Sequence, residues 1–393
     1  HPFLAEGPLG EVALSHNGNL TNIRRIRQWV ETRGITPEGT TDSELAAYVI
    51  AHAGGQSWED NIHRFMDLAE GAYSMAMLTK DALYAFRDPH GVRPLYLAQT
   101  EGGWAVGSET TIFRSLQYHP YRAIAPGEVV RINGEDLPKT VEHRPDSRQA
   151  LCLFEYIYFS APASELEGKR VNRVRKDIGR QLAREAPADV DVVFGVPESG
   201  TPMALGFADQ NDYKYEPGLQ KGWGSRTFID PRDKERLVEM KFNPFPEVVG
   251  GKRVCIVDDS LVRGNTMPNV VRMVRRAGAT EVHVRIGCPP LIDTCHMGVN
   301  ISERSELLAA QEQGLDAIQG HLGVNSLAYV SLQGVLAAAE RDFSETCTAC
   351  LTRVYPFKVK DKRDAYAVSD SLAAAPNLFR TLNPRDRNPR RTG

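Results

Sequence analysis

Nowhere does this sequence stay apolar for the 18 or so residues that a membrane-spanning helix needs. Its 41% hydrophobic content is spread over short stretches. It has no GxxxxGK[ST] loop, which excludes a Walker-type nucleotide site. Cysteine is scarce: six in 393 residues are too few for a secreted disulfide scaffold and point to a reducing cytoplasm. Neither sign of charge dominates. A net charge of −3 leaves no electrostatic footprint for nucleic acid as the main partner, and no helix-turn-helix pattern is found. The chain starts HPFLAEG, with neither an initiator methionine nor a secretory signal, so a segment upstream of His1 is expected. What remains is ordinary globular composition, long enough for two domains.

Two textures divide the chain. Residues 1–145 are punctuated by turn dipeptides, among them Asn17-Gly18, Asp88-Pro89 and Asn133-Gly134. Short strands are expected between them, at 73–78 and 128–132, with helices near 20–33 and 42–53. That pattern suits an antiparallel α+β domain, followed by a polar linker, HRPDSRQ (143–149). From 146 to 345, VDVVFGV (190–196), RVCIV (253–257) and EVHVRIG (281–287) read as buried parallel strands. Val171, Val174, Ile178 and Leu182 recur at helical spacing ahead of them. This is the pattern of an α/β domain with a doubly wound parallel sheet, whose ligands sit at the carboxyl ends of its strands. Residues 346–393 form a C-terminal segment with a CxxC and a basic, proline-containing tail expected to be disordered.

The sharpest local signal is VCIVDDSLVRGNT (254–266). An apolar strand runs into two aspartates, then into a small-residue loop, and Pro268 suits the first turn of a following helix. Free N–H groups of the loop and the helix start would face a phosphate. Asp258 and Asp259 would repel that phosphate, so they need a different customer. Vicinal ribose hydroxyls, each donating to a carboxylate, serve well, and a magnesium ion would lower the cost of the acidic pair. A ribose carrying a 5′-phosphate and a magnesium-bound pyrophosphate satisfies every group. The bland alternative is a solvated DD turn after a buried strand.

This stretch closely resembles the 5-phosphoribosyl-1-pyrophosphate (PRPP) motif of type I phosphoribosyltransferases. The resemblance implies that Asp258 and Asp259 hold ribose hydroxyls and magnesium. It also implies that Val262, Arg263, Gly264, Asn265 and Thr266 cradle the 5′-phosphate. Further motifs narrow the family. VALSHNGNLTN (12–22), TTDSEL (40–45), DPHGVRPL (88–95) and GSETTIF (107–113) resemble an N-terminal-nucleophile glutaminase domain. CLFEYIYFSAP (152–162), GVPESG (195–200) and SRTFIDP (225–231) resemble the transferase half of glutamine PRPP amidotransferases. The likeness runs to about residue 357 with both halves in the family's order.

The resemblance implies an oxyanion hole from the Asn17 side chain and the Gly18 N–H, as amide hydrolysis requires, and Asp42 binding the α-amino group of glutamine. Alone, NG is also a hairpin turn and TTDSEL a helix cap. His16 is expected to be structural. Ser199 corresponds to a magnesium ligand, Lys241 to a lysine on pyrophosphate, and Arg226 to the loop that closes over PRPP and excludes water. By spacing, Cys347-x-x-Cys350 is a metal-ligand or redox pair. One branch of the family carries a [4Fe–4S] cluster, which implies Cys152, Cys295, Cys347 and Cys350 as its ligands. Cys255 reads as core packing and Cys288 has no matching role. The family's nucleophilic N-terminal cysteine belongs before His1, so this polypeptide is expected to use ammonia at most. KGWGSRTFID (221–230) is shorter than the family's usual loop, and Glu239 stands where an arginine is usual, which touches PRPP closure.

The expected reaction is transfer of ammonia from glutamine to PRPP, giving 5-phosphoribosylamine, glutamate and pyrophosphate, the first step of purine synthesis. The resemblance further implies purine-nucleotide feedback ligands and a homotetramer. Two alternatives remain open on sequence: a regulator that binds PRPP without turnover, and a repurposed enzyme with a different acceptor.

Overall fold

The computed structural model describes residues 1–146, 148–222, 241–299, 303–312 and 314–357. Arg226, Glu239 and the basic tail lie outside the described residues. The first half builds a six-stranded sheet of β1 (Phe3–Gly7), β2 (Gly10–Leu20), β3 (Gly71–Leu78), β4 (Leu83–Arg87), β8 (Glu128–Ile132) and β9 (Lys139–His143), in that order. Every neighbour pair in it is antiparallel. A second sheet, in the order β6 (Gly103–Gly107), β5 (Tyr96–Thr100), β7 (His119–Ala123), packs beside it.

Three helices precede β3: α1 (Ile23–Glu31), α2 (Asp42–His52) and α3 (Trp58–Leu68). Thr41 caps α2 by accepting the Glu44 N–H, and Ser57 caps α3 by accepting that of Asp60. Each cap satisfies a donor the helix cannot. Eight of the eleven residues of α2 are buried, so it is a core helix with no polar face. The short helix α4 (Thr110–Ser115) follows β6.

The stretch expected as a linker is strapped down at both ends. Asp146 N–H donates to Pro89 O at 2.9 Å and Ala150 N–H to His90 O at 2.8 Å. Beyond it come β10 (Leu151–Cys152), a π-helical turn at Glu155–Phe159 and a small hairpin of β11 (Glu165–Leu166) and β12 (Lys169–Arg170). Helix α5 (Val171–Glu185) then presents the expected stripe, with Val171, Val174, Ile178 and Leu182 all buried. It packs on α6 (Thr201–Gln210).

The central sheet of this half is parallel, in the order β13 (Val192–Gly195), β16 (Arg253–Asp258), β17 (Glu281–Ile286), β18 (Ser326–Tyr329). The three apolar runs anticipated as strands are β13, β16 and β17, each ending within a residue or two of expectation. SLAY, too short and mixed to stand out, supplies β18. A β14 (Leu219–Lys221) and β15 (Phe242–Pro244) ladder flanks it, and β19 (Thr346–Cys347) pairs with β10.

Apolar packing does not stop at the end of the first half. Val92, Tyr96 and Phe113 join the same buried cluster as Tyr156, Leu166, Ile178 and Phe194. Ile178 is fully buried in that cluster. Replacing it with alanine removes three methyl(ene) groups and leaves a partly relaxed cavity, so Ile178→Ala should lower unfolding stability by about 2–4 kcal/mol in urea titration, with an unchanged slope.

Candidate functional site

Four apolar residues of β16, Val254, Cys255, Ile256 and Val257, are fully buried. The strand therefore delivers Asp258 and Asp259 to its carboxyl end while shielding them from water: they are 9% and 4% exposed. Burial, then the charge of Asp259, pushes Asp258 well above the usual carboxylate range. The acidic pair is a standing demand for positive charge or hydroxyl donors.

Around it lies a cavity of about 560 Å³ lined by Asp258, Asp259, Ser199, Lys241 and the whole of the loop from Ser260 to Thr266. Gly264 adopts φ +70°, and a Cβ there would stand 2.9 Å from the Leu308 side chain, so the loop turns where only glycine fits. Leu308 N–H holds Val262 O at 2.9 Å. The Arg263 side chain is engaged at the rim, its Nε donating to Glu306 Oε2 at 2.7 Å. Thr266 immediately precedes the helix Met267–Arg276 without a side-chain capping bond, and Pro268 lies in its first turn.

The cavity's aromatic wall was not anticipated. Phe154, Tyr158 and Phe159 line it, carried by the π-helical turn. That turn is held by the buried Arg175, which donates to the carbonyls of Tyr156, Tyr158 and Ser160 at 2.9, 2.9 and 2.6 Å. Only EYIYF itself could have signalled this, and its pattern reads equally as strand or helix.

In the first half, β2 carries His16, Asn17, Gly18 and Asn19 in register with β3, Asn17 opposite Ser74 and Gly18 opposite Tyr73. NG here is not a hairpin tip but lies inside a strand. Gly18 has φ +146°, and a Cβ on it would meet Ala72 O at 2.1 Å. Asn17 Nδ2 donates to Ser108 Oγ at 3.2 Å. Asp42 opens α2 and faces the end of β2, its Oδ2 accepting the Leu20 N–H at 2.9 Å. Asn17, Gly18 and Asp42 thus belong to one strand and the helix start packed on it.

Two other quoted motifs turn out to be scaffolding. Asp88 of DPHGVRPL is fully buried and accepts the N–H groups of Tyr73, His90 and Val92. Glu109 of GSETTIF accepts the Ala161 N–H and Ser164 hydroxyl, both at 2.7 Å, tying one half to the other.

The cysteines converge. Cys152 and Cys347 are partners across β10 and β19. Cys350 O accepts from Ile292 and Asp293, which brings the Cys295 loop alongside. Burial raises the Cys152 thiol to about 12, and burial with the charges of Cys295 and Cys152 raises that of Cys350. All six cysteines are free. Among the described residues no three His, Cys, Asp or Glu side chains form a single-ion site, and no helix is long and apolar enough to cross a membrane.

A glutamine amidotransferase domain family matches residues 1–115. The amidophosphoribosyltransferase of Synechococcus elongatus is 42% identical over 371 residues, covering 92% of this chain and 75% of that protein. The chain belongs to the amidophosphoribosyltransferase family. The Bacillus subtilis amidophosphoribosyltransferase is 36% identical, over 89% of this chain and 75% of its own. A solved B. subtilis glutamine PRPP amidotransferase, complexed with ADP and GMP, superposes with a TM-score of 0.86 at 35% identity, over 94% of this chain and 82% of that one. The two-part arrangement, a glutamine amidotransferase domain followed by the parallel-sheet half, is that of the family. A PRPP-binding regulator or an enzyme with a different acceptor is not favoured by these likenesses.

His16 is buried beside the start of α2: its side chain is 1% exposed and its Nδ1 meets Ser43 Oγ at 2.9 Å. Burial lowers its pKa from 6.5, against the pull of Asp42. The folded chain binds this proton less readily than the unfolded one. The corresponding stability is present above the unfolded value and is lost as pH falls from there through the lowered folded one. His16→Gln should therefore reduce the drop in melting temperature between about pH 7.5 and 5.5; an unchanged drop would count against this origin.

Proposed function

We propose that the chain transfers ammonia to PRPP, giving 5-phosphoribosylamine and pyrophosphate, the first step of de novo purine synthesis, with glutamine as the ammonia source and glutamate as its product where the glutaminase nucleophile is present. The observation that carries this reading is the gathering of Asp258, Asp259, Ser199, Lys241 and the 262–266 loop around one cavity at the carboxyl end of β16. Residues 1–145 are read as a glutaminase domain of the N-terminal-nucleophile type, 146–345 as the type I phosphoribosyltransferase domain, and 346–393 as a C-terminal segment.

In the glutaminase half, Asp42 would pair with the α-amino group of glutamine. Asn17 Nδ2 and the Gly18 N–H would stabilise the oxyanion formed as the amide is attacked. In the transferase half, Asp258 and Asp259 accept the two ribose hydroxyls and Val262, Arg263, Gly264, Asn265 and Thr266 surround the 5′-phosphate. Lys241 neutralises the pyrophosphate, and Arg226 is assigned to the closing loop. The ammonia lone pair forms the new N–C1 bond on the face opposite the breaking C1–O bond. Pyrophosphate leaves with the electron pair, and the nitrogen sheds a proton. The protein's share of this work is positioning and charge neutralisation.

The buried acid pair fits magnesium, with Ser199 and ligand oxygens completing a sphere that two carboxylates alone cannot. When bound, the ion supplies positive charge to the departing pyrophosphate. Three buried thiols and the partly buried Cys295, which repel one another as thiolates, fit a [4Fe–4S] cluster, which spaces its ligands more widely than a single ion. The free cysteines suit a reducing cytoplasm. Purine nucleotides as feedback ligands and a tetrameric assembly are proposed on the family likeness.

Pyrophosphate release from PRPP with magnesium and ammonium tests the transferase reading. Turnover is expected, and Asp259→Asn should lower kcat/KM for PRPP by about a hundredfold or more; no turnover by folded protein would sink it. For the cluster, anaerobic reconstitution should load about four irons per chain with visible charge-transfer absorption. Cys350→Ser should abolish that absorption while Cys288→Ser leaves it.

A further inference from the structure

None of these roles uses Arg93, a buried cation where the two halves meet. Its backbone is pinned: the carbonyl accepts from Ser74 Oγ at 2.9 Å and Arg87 Nε at 2.6 Å. Its guanidinium, 7% exposed by residue, touches three segments at once. Nη1 stands 3.1 Å from Glu155 Oε1, a pair whose side chains are 8% and 4% exposed. Nη2 donates to Asn17 Oδ1 at 3.5 Å. The guanidinium carbon lies 4.9 Å from the centre of the Phe159 ring. Neither Nε nor Nη1 makes a hydrogen bond among the described residues, so the Nη1–Glu155 approach is an ion pair alone. Arg93 is thus held by charge and packing toward Glu155 and Asn17 rather than by a full set of hydrogen bonds.

Glu155 is itself fixed from the transferase side. Its Oε2 accepts the Ser160 hydroxyl at 2.7 Å, and the Ser160 carbonyl accepts from Arg175 Nη2 at 2.6 Å. The anchor of Arg93 therefore belongs to the same π-helical turn that lines the PRPP cavity.

The consequence falls on Asn17. A carboxamide presents a donor on one side and an acceptor on the other, and the two ends are nearly equal in shape. A guanidinium only donates, so the oxygen must face Arg93. Nδ2 then faces Ser108 and keeps a hydrogen for an anion. Rotated by half a turn, the same side chain would aim an acceptor at the oxyanion and repel it.

We propose that Arg93, anchored by Glu155 of the transferase half, is the positioning residue that sets the direction of the Asn17 amide in the oxyanion hole. This rests on the reading of Asn17 as an oxyanion donor. A merely structural Arg93, there to neutralise Glu155, would matter equally to both half-reactions, and that separates the two.

The test measures glutamine-dependent and ammonium-dependent pyrophosphate release on the full natural chain, for Arg93→Met, Arg93→Lys and Glu155→Gln. Arg93→Met is expected to lower the glutamine-dependent kcat by about 30- to 100-fold, in the range of a lost oxyanion donor. The KM for glutamine and the ammonium-dependent rate should each stay within about threefold. Arg93→Lys, which keeps a charged donor, should recover part of the loss, and Glu155→Gln should show a smaller loss in the same direction. The ammonium rate doubles as the check on folding. Equal loss of both rates, or an unchanged glutamine rate, overturns the proposal. A wild-type chain active with ammonium but never with glutamine would leave Asn17 no oxyanion to serve and overturn it too. A chain inactive with ammonium would instead sink the transferase reading.

Discussion

Two carboxylates buried side by side at the end of an apolar strand are the constraint on which the site depends. Water is excluded from Asp258 and Asp259 by the sheet beneath them and the loop above. A like-charged pair in such a place is costly unless something positive or hydrogen-donating arrives. The surrounding residues are arranged for that arrival. Ser199 comes from the turn after β13, Lys241 from the approach to β15, and the 262–266 loop from the strand itself. Ser199 and the 262–266 loop lie at the same edge because β13 and β16 are parallel and both end there, whereas Lys241 adjoins the antiparallel β14–β15 ladder.

The second constraint is the junction between the halves. Shared apolar packing around Val92, Tyr96 and Phe113 would hold them together without saying how they are oriented. Polar contacts carry direction as well as energy, because a hydrogen bond weakens steeply off its line. Glu109 to the Ala161 N–H, Asn19 Nδ2 to His296 O at 2.9 Å, and the Arg93–Glu155 pair cross the junction. They make the geometry of strand β2 a function of the parallel-sheet half. The chain of contacts from Asn17 through Arg93, Glu155, Ser160 and Arg175 is continuous, and the charge of Asp259 is the strongest opposing one that the buried Arg175 feels.

Much of this could be read from residue order. Strands β13, β16 and β17 announce themselves because a strand covered on both faces must be uniformly apolar. The α5 stripe is legible because one face of a helix recurs every three to four residues. Strand β18 was not legible: four residues of mixed character draw their strand identity from pairing with β17. Nor was the tethering of 143–149, since polarity and proline read as linker whether or not a partner waits nearby. Asn17-Gly18 carried the opposite risk, a turn-like dipeptide that the structure uses inside a strand.

By itself, then, the sequence determined the chemistry of the ends of elements. It specified an acidic pair after an apolar run, small residues in the loop beyond, an amide and a glycine on one strand, and four thiols. These are covalent facts that folding cannot alter. Only the tertiary structure decided which of them share a space. Cys152 and Cys347 meet because β10 and β19 pair across nearly the whole second half of the chain. Arg93 reaches Asn17 and Glu155 because three segments distant in sequence close on one buried point. Spacing along the chain records no such distance, since it arises when apolar surfaces pack and bring their polar edges together.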